Sequence, residues 1–269
     1  MFGLVVISHI NGLSIYKTFF NFYRSLQRVY SRTIMYDIDS SQPSNVIVNT
    51  PAGLYGFYTL GVNAYIKQHY DITNYSYSGA SAGAWNSVFL SFKGNDSDFL
   101  SDILTCAKLD PKLSILEIEK TLKQKVVKKY TMDDFRTNHI YIGVSVFRLP
   151  RLNLVIFNNF RDIEDLIDCC IASSHIPFIT GGALHKYRNK FSFDGGYFKY
   201  PYINNTEPTI IITPSIWNSI YTKNTINGIK RNQPLTLQQL YQEGYDDSKK
   251  NKDVLDKVFG VIDRPPVPE

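Results

Sequence analysis

Short unbroken apolar runs alternate with segments of helical spacing through the first half of this chain, a pattern that predicts successive βα units. Asn45-Val46-Ile47-Val48-Asn49 reads as a short buried strand and leads into the small-residue loop Thr50-Pro51-Ala52-Gly53-Leu54-Tyr55-Gly56. From Gly56 to Gln68, the residues Leu60, Ala64 and Tyr65 fall at helical spacing, so the loop sits at a helix N-terminus. Unpaired backbone NH groups at such a terminus favour an anion. Asp71 to Asn74 turns the chain into a second strand at Tyr75 to Ser78. A second helix then runs from Ser81 through Trp85, Val88 and Phe89 to Gly94. Two such units in succession predict a parallel sheet with active loops at its carboxyl edge.

The pattern then changes. Residues 96–130 read as helical and peripheral, with Ser114-Ile115-Leu116-Glu117 as a capping box. Lys120, Lys123, Lys125, Lys128 and Lys129 are expected to form a solvated face of the helix it opens. His139 to Phe147 and Leu152 to Phe157 predict two strands of a hairpin turned through Pro150. A helix from Asp162 to Ala172 ends in Ser173-Ser174-His175-Ile176-Pro177, and the short strand Lys190-Phe191-Ser192-Phe193 enters Asp194-Gly195-Gly196. Thr209 to Thr213 is a further apolar strand, followed by polar text with helical patches near Leu235–Tyr241 and Asp253–Phe259 and a tail at Arg264 to Glu269.

Composition narrows the class. A chain of 269 residues that is 43% hydrophobic buries a sizeable core, so one α/β domain is expected. Its net charge of +5 is carried by Lys and Arg scattered along the chain, which predicts no nucleic-acid partner but suits mild attraction to an anionic membrane. Cys106, Cys169 and Cys170 lack metal-ligand spacing and read as buried thiols of a reducing compartment. The opening apolar run Phe2 to Ile7 is broken by Ser8, His9 and Asn11, and no run reaches the length of a membrane span. A cytoplasmic protein is expected, with membrane contact at most peripheral. From Leu13 to Tyr30 the text is aromatic and basic; this stretch either lies on a membrane interface, acts as a targeting arm, or packs on the domain's own sheet.

Candidate chemistry centres on Gly79-Ala80-Ser81-Ala82-Gly83, a G-x-S-x-G between a strand and a helix. A sharp turn that pushes a serine hydroxyl outward leaves no room for side chains two residues away, and Gly79 and Gly83 supply that room. A serine needs a base. One solution is a triad of Ser81 with Asp162, Asp165 or Asp168 and with His175 or His185. All the histidines precede Asp194, so Asp194 cannot be the acid in the serine, acid, histidine order of α/β-hydrolases. The other is a dyad in which Asp194 takes the Ser81 proton directly. Ala52, Gly53 and Leu54, with Ala82 beside the nucleophile, would then offer NH groups to an oxyanion. A carboxylate base needs partial desolvation, and Gly195 and Gly196 permit close approach.

The ordered set Ala52-Gly53-x-x-Gly56-Phe57-Tyr58-Thr59-Leu60-Gly61-Val62, Gly79-Ala80-Ser81-Ala82-Gly83, Ala172-Ser173-Ser174-x-Ile176-Pro177 and Asp194-Gly195-Gly196 resembles patatin-like phospholipases. The resemblance spans residues 46–205. It implies a three-layer α/β/α sandwich with a mostly parallel central sheet, and a lipid acyl hydrolase that uses a Ser-Asp dyad without metal ion or cofactor. Ser81 matches the family's nucleophile and Asp194 its general base. The implied layout is an N-terminal extension over residues 1–42, a catalytic core over 43–215, and a C-terminal segment over 216–269 packed on the core. Implied substrates are phospholipids or related acyl lipids met at a membrane surface. One departure stands out: where the family writes small residues, typically glycines, this chain has Pro51-Ala52-Gly53, and Pro51 has no NH. Two rival expectations follow, a catalytically weak or inactive lipid-binding protein on the same scaffold, and the Ser-His-Asp esterase.

Overall fold

The computed structural model describes residues 34–37, 45–108, 115–148, 151–198, 207–217 and 235–260. The aromatic and basic stretch Leu13 to Tyr30, the cap residue Ser114, Pro150 and the tail from Arg264 lie outside the described residues.

Strands β1 (Ile34–Asp37), β2 (Val46–Asn49), β3 (Ser76–Gly79), β4 (Ile140–Arg148), β5 (Arg151–Phe157), β6 (His185–Tyr187), β7 (Lys190–Phe193) and β8 (Ile210–Ile212) form one mixed, mostly parallel sheet. Its continuous path runs β1-β5-β4-β3-β2-β8, and β7 joins β4 with β6 beside it. β2 lies parallel to β3 and to β8, β3 is parallel to β4, and β1 is parallel to β5. Every residue of β2 and β3 is buried, which is why these segments lack the alternation of a half-exposed strand. The sheet also takes β1 from within the stretch assigned to the N-terminal extension, whose single apolar-aromatic run is too short to read as a strand.

One feature of β4 positions everything that follows. The hairpin partner β5 occupies one edge of β4 from Ile142↔Phe157 to Arg148↔Arg151. Its other edge is divided: β3 pairs along Ile140 to Ile142, and β7 pairs antiparallel at Ser145 and Val146. Since β3 and β7 run toward each other along that edge, their C-terminal ends meet head-on beside Gly143.

Helices α1 (Gly56–His69), α2 (Ala82–Ser91), α3 (Asp96–Lys108), α4 (Ile115–Lys129), α5 (Ile163–Ser173), α6 (Leu237–Lys250) and α7 (Lys252–Phe259) surround the sheet. Both sheet faces are buried, as a three-layer α/β/α arrangement requires. Ile47, Tyr77, Ile142 and Phe157 join the main core, while Val46, Val48, Tyr141, Leu154 and Ile156 form a second cluster. This split follows the strand period of two residues. Helix α1 is itself buried along most of its length, because α6 lies over it at close range. A Cβ at Gly61 would stand 2.0 Å from the Tyr241 carbonyl, and one at Gly244 would stand 2.0 Å from that of Tyr58. Tyr58 Oη donates to Asp247 Oδ2 across the same contact at 3.1 Å.

Lys67, its side chain 8% exposed, joins α1 to the end of α2. Its ammonium donates to the Phe89 and Phe92 carbonyls at 2.9 and 2.7 Å and pairs with Asp96 at 2.6 Å. Burial brings its pKa down to about 8, and the Asp96 charge limits the fall. The three cysteines are free and buried. No helix among the described residues is long and apolar enough to cross a membrane.

Candidate active site

β3 ends at Gly79, and Ser81 follows with φ 56° and ψ −131°, a backbone state that side-chain-bearing residues avoid. The turn closes only without side chains at its flanks. A Cβ on Gly79 would lie 2.1 Å from the Gly83 carbonyl oxygen, and one on Gly83 would lie 2.2 Å from that of Asn49. Surrounding bonds hold the strained residue in place: Ser81 N donates to Ser173 Oγ at 2.8 Å, and Ala84 N to the Ser81 carbonyl at 2.9 Å. Ser173 Oγ in turn donates to the Gly143 carbonyl at 2.7 Å, anchoring the elbow to β4.

Asp194 arrives from the opposite direction at the end of β7. Its NH donates to the His175 carbonyl at 2.8 Å and its carbonyl accepts from Ser145 Oγ at 2.7 Å, so the backbone is pinned on both sides. Ser81 Oγ donates to Asp194 Oδ2 at 2.7 Å, and Gly196 N donates to Oδ1 at 2.6 Å. Both residues are only 7% exposed. Burial raises the Asp194 pKa from 3.8 to about 6, against the opposing pull of the Ser81 and Gly196 hydrogen bonds.

Gly195 makes this approach possible, since a Cβ there would stand 1.9 Å from the Gly143 carbonyl oxygen, a backbone atom with no freedom to withdraw. Gly195→Ala is expected to cost about 2 kcal/mol of stability, read as a lowered thermal midpoint. Gly182→Ala, whose added Cβ meets nothing within 4 Å, serves as its neutral control. Identical midpoints for the two variants would contradict this account of the turn.

The loop after β2 comes to the same place. Gly53 to Tyr55 forms a single tight helical turn, with Gly53 at φ 54°. A Cβ on Gly56 would lie 2.5 Å from Ala82 Cβ, so only glycine lets α1 begin against the start of α2. Asn86 secures the junction by donating to the Gly56 carbonyl at 3.2 Å and to Thr59 Oγ1 at 2.7 Å. The NH groups of Gly53, Leu54 and Ala82 stand in first turns, where no intrahelical acceptor exists. Together with Ser81, these residues line one end of a cavity of about 130 Å³. Ala52 and Pro51 are not part of that lining. The Ala52 carbonyl accepts from Tyr55 N at 3.1 Å, and Pro51 packs where a Cβ on Gly196 would fall, 2.8 Å from Pro51 Cβ.

Beyond Ser81 the cavity walls are hydrocarbon, drawn from several helices: Phe57 and Leu60 from α1, Val88 from α2, Ile103 from α3, Leu122 from α4 and Ile167 from α5. Glu119 of α4 interrupts them. It is 6% exposed, it lies near Ser174 and Trp85, and Oε2 is buried without a partner. Burial raises its pKa from 4.5 to about 8; the polar groups of Ser174 and Trp85 oppose the rise and the Asp194 charge adds to it.

The residues of a histidine triad are not assembled. Asp162 caps α5 by accepting from Asp165 N at 2.8 Å, and Asp168 pairs with Lys123 at 2.7 Å. Asp165 binds Arg188 at 2.6 Å and Arg161 at 3.2 Å. Burial pushes the Asp165 carboxyl up, but those guanidiniums outweigh it and hold the group well below the usual range. His175 and His185 face each other with ring centroids 5.3 Å apart. Burial and the neighbouring ring lower the His175 pKa from 6.5 to about 4.

Sequence reasoning passed over Ser145, Ser173 and Glu119. Ser173 fell within the Ala172 to Pro177 motif with no role attached, and nothing distinguishes Ser145 before the fold is known, because both roles depend on what lies across the sheet. Glu119 did carry a signal: it sits on the apolar face of a helix otherwise lined by Ile115, Ile118, Leu122 and Val126. No protein-family model matches the chain, and no curated protein matches it at a significant level.

Proposed function

We propose that this protein is a lipid acyl hydrolase that cleaves carboxylic esters of phospholipids or related acyl lipids through an acyl-enzyme on Ser81, as the resemblance to patatin-like phospholipases implies. The observation that carries the reading is the 2.7 Å hydrogen bond from Ser81 Oγ to Asp194 Oδ2 in a buried, strained turn. Ser81 Oγ attacks the ester carbonyl while Asp194 Oδ2 takes its proton. The oxyanion develops beside the NH groups of Gly53, Leu54 and Ala82, whose dipoles need no reorganisation to receive it. Collapse expels the alcohol, which recovers the proton from Asp194. Water then attacks the acyl-enzyme, giving its proton to Asp194, and the fatty acid leaves with Ser81 restored.

The apolar cavity beyond Ser81 supports an acyl chain as the group transferred. Pro51 lies behind Gly196 and away from the cavity lining, so the missing NH does not count against an oxyanion site built from its neighbours. Phe178, between the cavity-lining Ile176 and Thr180, and Leu184 just after them are 67% and 63% exposed, which supports entry of substrate from a lipid surface. A fluorophosphonate probe tests the nucleophile directly: covalent labelling at Ser81, with fatty acid released from phospholipid vesicles or a nitrophenyl ester, is the expected result. Absence of both removes the hydrolase reading.

The base must be ionised to act. With the Asp194 pKa raised to about 6, kcat/KM is expected to level off above that pH and to fall as protonation removes the base below it. The fall should be about tenfold per pH unit. A profile that stays flat well below pH 6 would show that Asp194 is not the group taking the proton.

A further inference from the structure

Glu119 is a carboxyl in the wall of a hydrocarbon cavity, and a plain acyl chain gives no reason for it. A buried polar atom without a partner is costly, and leucine at this position would complete the apolar stripe of α4. Instead the carboxyl lies near Ser174 and near Trp85, which sits on α2 close to the nucleophile and donates its indole NH to Ser174 Oγ at 3.1 Å. Ser174 itself follows Ser173, the acceptor of the Ser81 NH. Glu119 therefore lines the same cavity as Ser81, with Oε2 buried and unpartnered.

We propose that Glu119 is a specificity-determining residue that selects acyl groups carrying an oxygen on the chain, such as a hydroxyl, over plain hydrocarbon chains, by hydrogen-bonding that oxygen through Oε2. This inference rests on the acyl hydrolase reading for the identity of the ligand. A protonated carboxyl both donates and accepts, so it matches a neutral oxygen function. An ammonium group would instead have to enter a cavity whose other walls offer it little. The cavity is partly open and close in volume to an engineered cavity that holds benzene, about six carbons, so a six-carbon chain suffices as a probe of the recognised oxygen.

The test compares nitrophenyl hexanoate with its counterparts bearing a hydroxyl at the third or the terminal carbon. Wild type is expected to favour a hydroxylated ester by roughly ten- to a hundredfold in kcat/KM. Glu119→Leu should abolish or invert the preference, and Glu119→Gln, which keeps a donor and an acceptor, should retain part of it. Binding of the corresponding methyl esters to Ser81→Ala, followed by calorimetry, reads the same preference without turnover, and melting curves confirm that each variant is folded. Equal treatment of the esters by wild type, or a preference that survives Glu119→Leu, overturns the proposal and leaves Glu119 as the partner of a bound water. If the hydroxylated methyl ester binds in a Glu119-dependent way but no ester is cleaved, the hydrolase reading falls and the selectivity stands. If neither methyl ester binds, the selectivity falls.

Discussion

Ser81→Ala is expected to lower kcat/KM for ester cleavage by about a hundred thousandfold or more, because it deletes the only atom that forms the covalent intermediate. Asp194→Asn should cost at least about a thousandfold, since the amide preserves shape but cannot take the proton. The paired measurement is fluorophosphonate labelling, which both variants should lose: one lacks the oxygen, the other its activation. The variants are also expected to stay folded. Asp194→Asn removes a carboxylate whose burial is unfavourable above about pH 6, so its melting temperature at neutral pH should not fall. Should either folded variant keep more than about one-hundredth of wild-type turnover, the dyad is not the catalytic unit.

Glu119→Gln is expected to make the protein more stable at neutral pH. The folded-state pKa is raised from 4.5 to about 8. The carboxyl therefore contributes its full stability below pH 4.5, where both states hold the proton, and loses it as pH rises through about 8. Over that window only the unfolded chain sheds the proton. Each pH unit weakens folding by about 1.4 kcal/mol, so the deficit near pH 7 is about 3 kcal/mol. Glutamine has nearly the same shape and hydrogen-bonding atoms but no such deficit. Urea unfolding of wild type and variant at pH 4.5, 7 and 9 should give a difference that grows with pH and then levels off. Asp194 is common to both proteins and cancels to first order. Parallel stability curves across that range would mean that Glu119 is ionised in the folded state. A residue that costs stability in this way invites a functional reason, which the proposed selection of oxygenated acyl groups supplies.

The elements most legible in the sequence were those whose cause is local. Gly79, Ser81 and Gly83 announce a sharp strand-to-helix turn, because the steric demand falls two residues either side of the serine. The β4–β5 hairpin, the start of α1 after a small-residue loop, and the strand ending at Asp194 followed from spacing in the same way. Residues 96–130 were less legible. Lys120, Lys128 and Lys129 are exposed as expected, whereas Lys123 and Lys125 are half-buried, Lys123 being paired to Glu164 and Asp168. Their apolar stripe, however, faces the cavity that Ser81 lines, and no periodicity states what an apolar face will cover.

What the chain determined by itself was a strained serine and an acid before two glycines, each written within a few residues, together with an α/β architecture. What only the tertiary structure decided was that these two points touch although 113 positions separate them. The reason is the pairing of β4: one edge is shared by β3 and β7 running in opposite senses, so the two turns converge over Gly143. Side-chain periodicity fixes which face a residue takes, but the distance between two such faces is set by strand order and register, to which every strand of the sheet contributes.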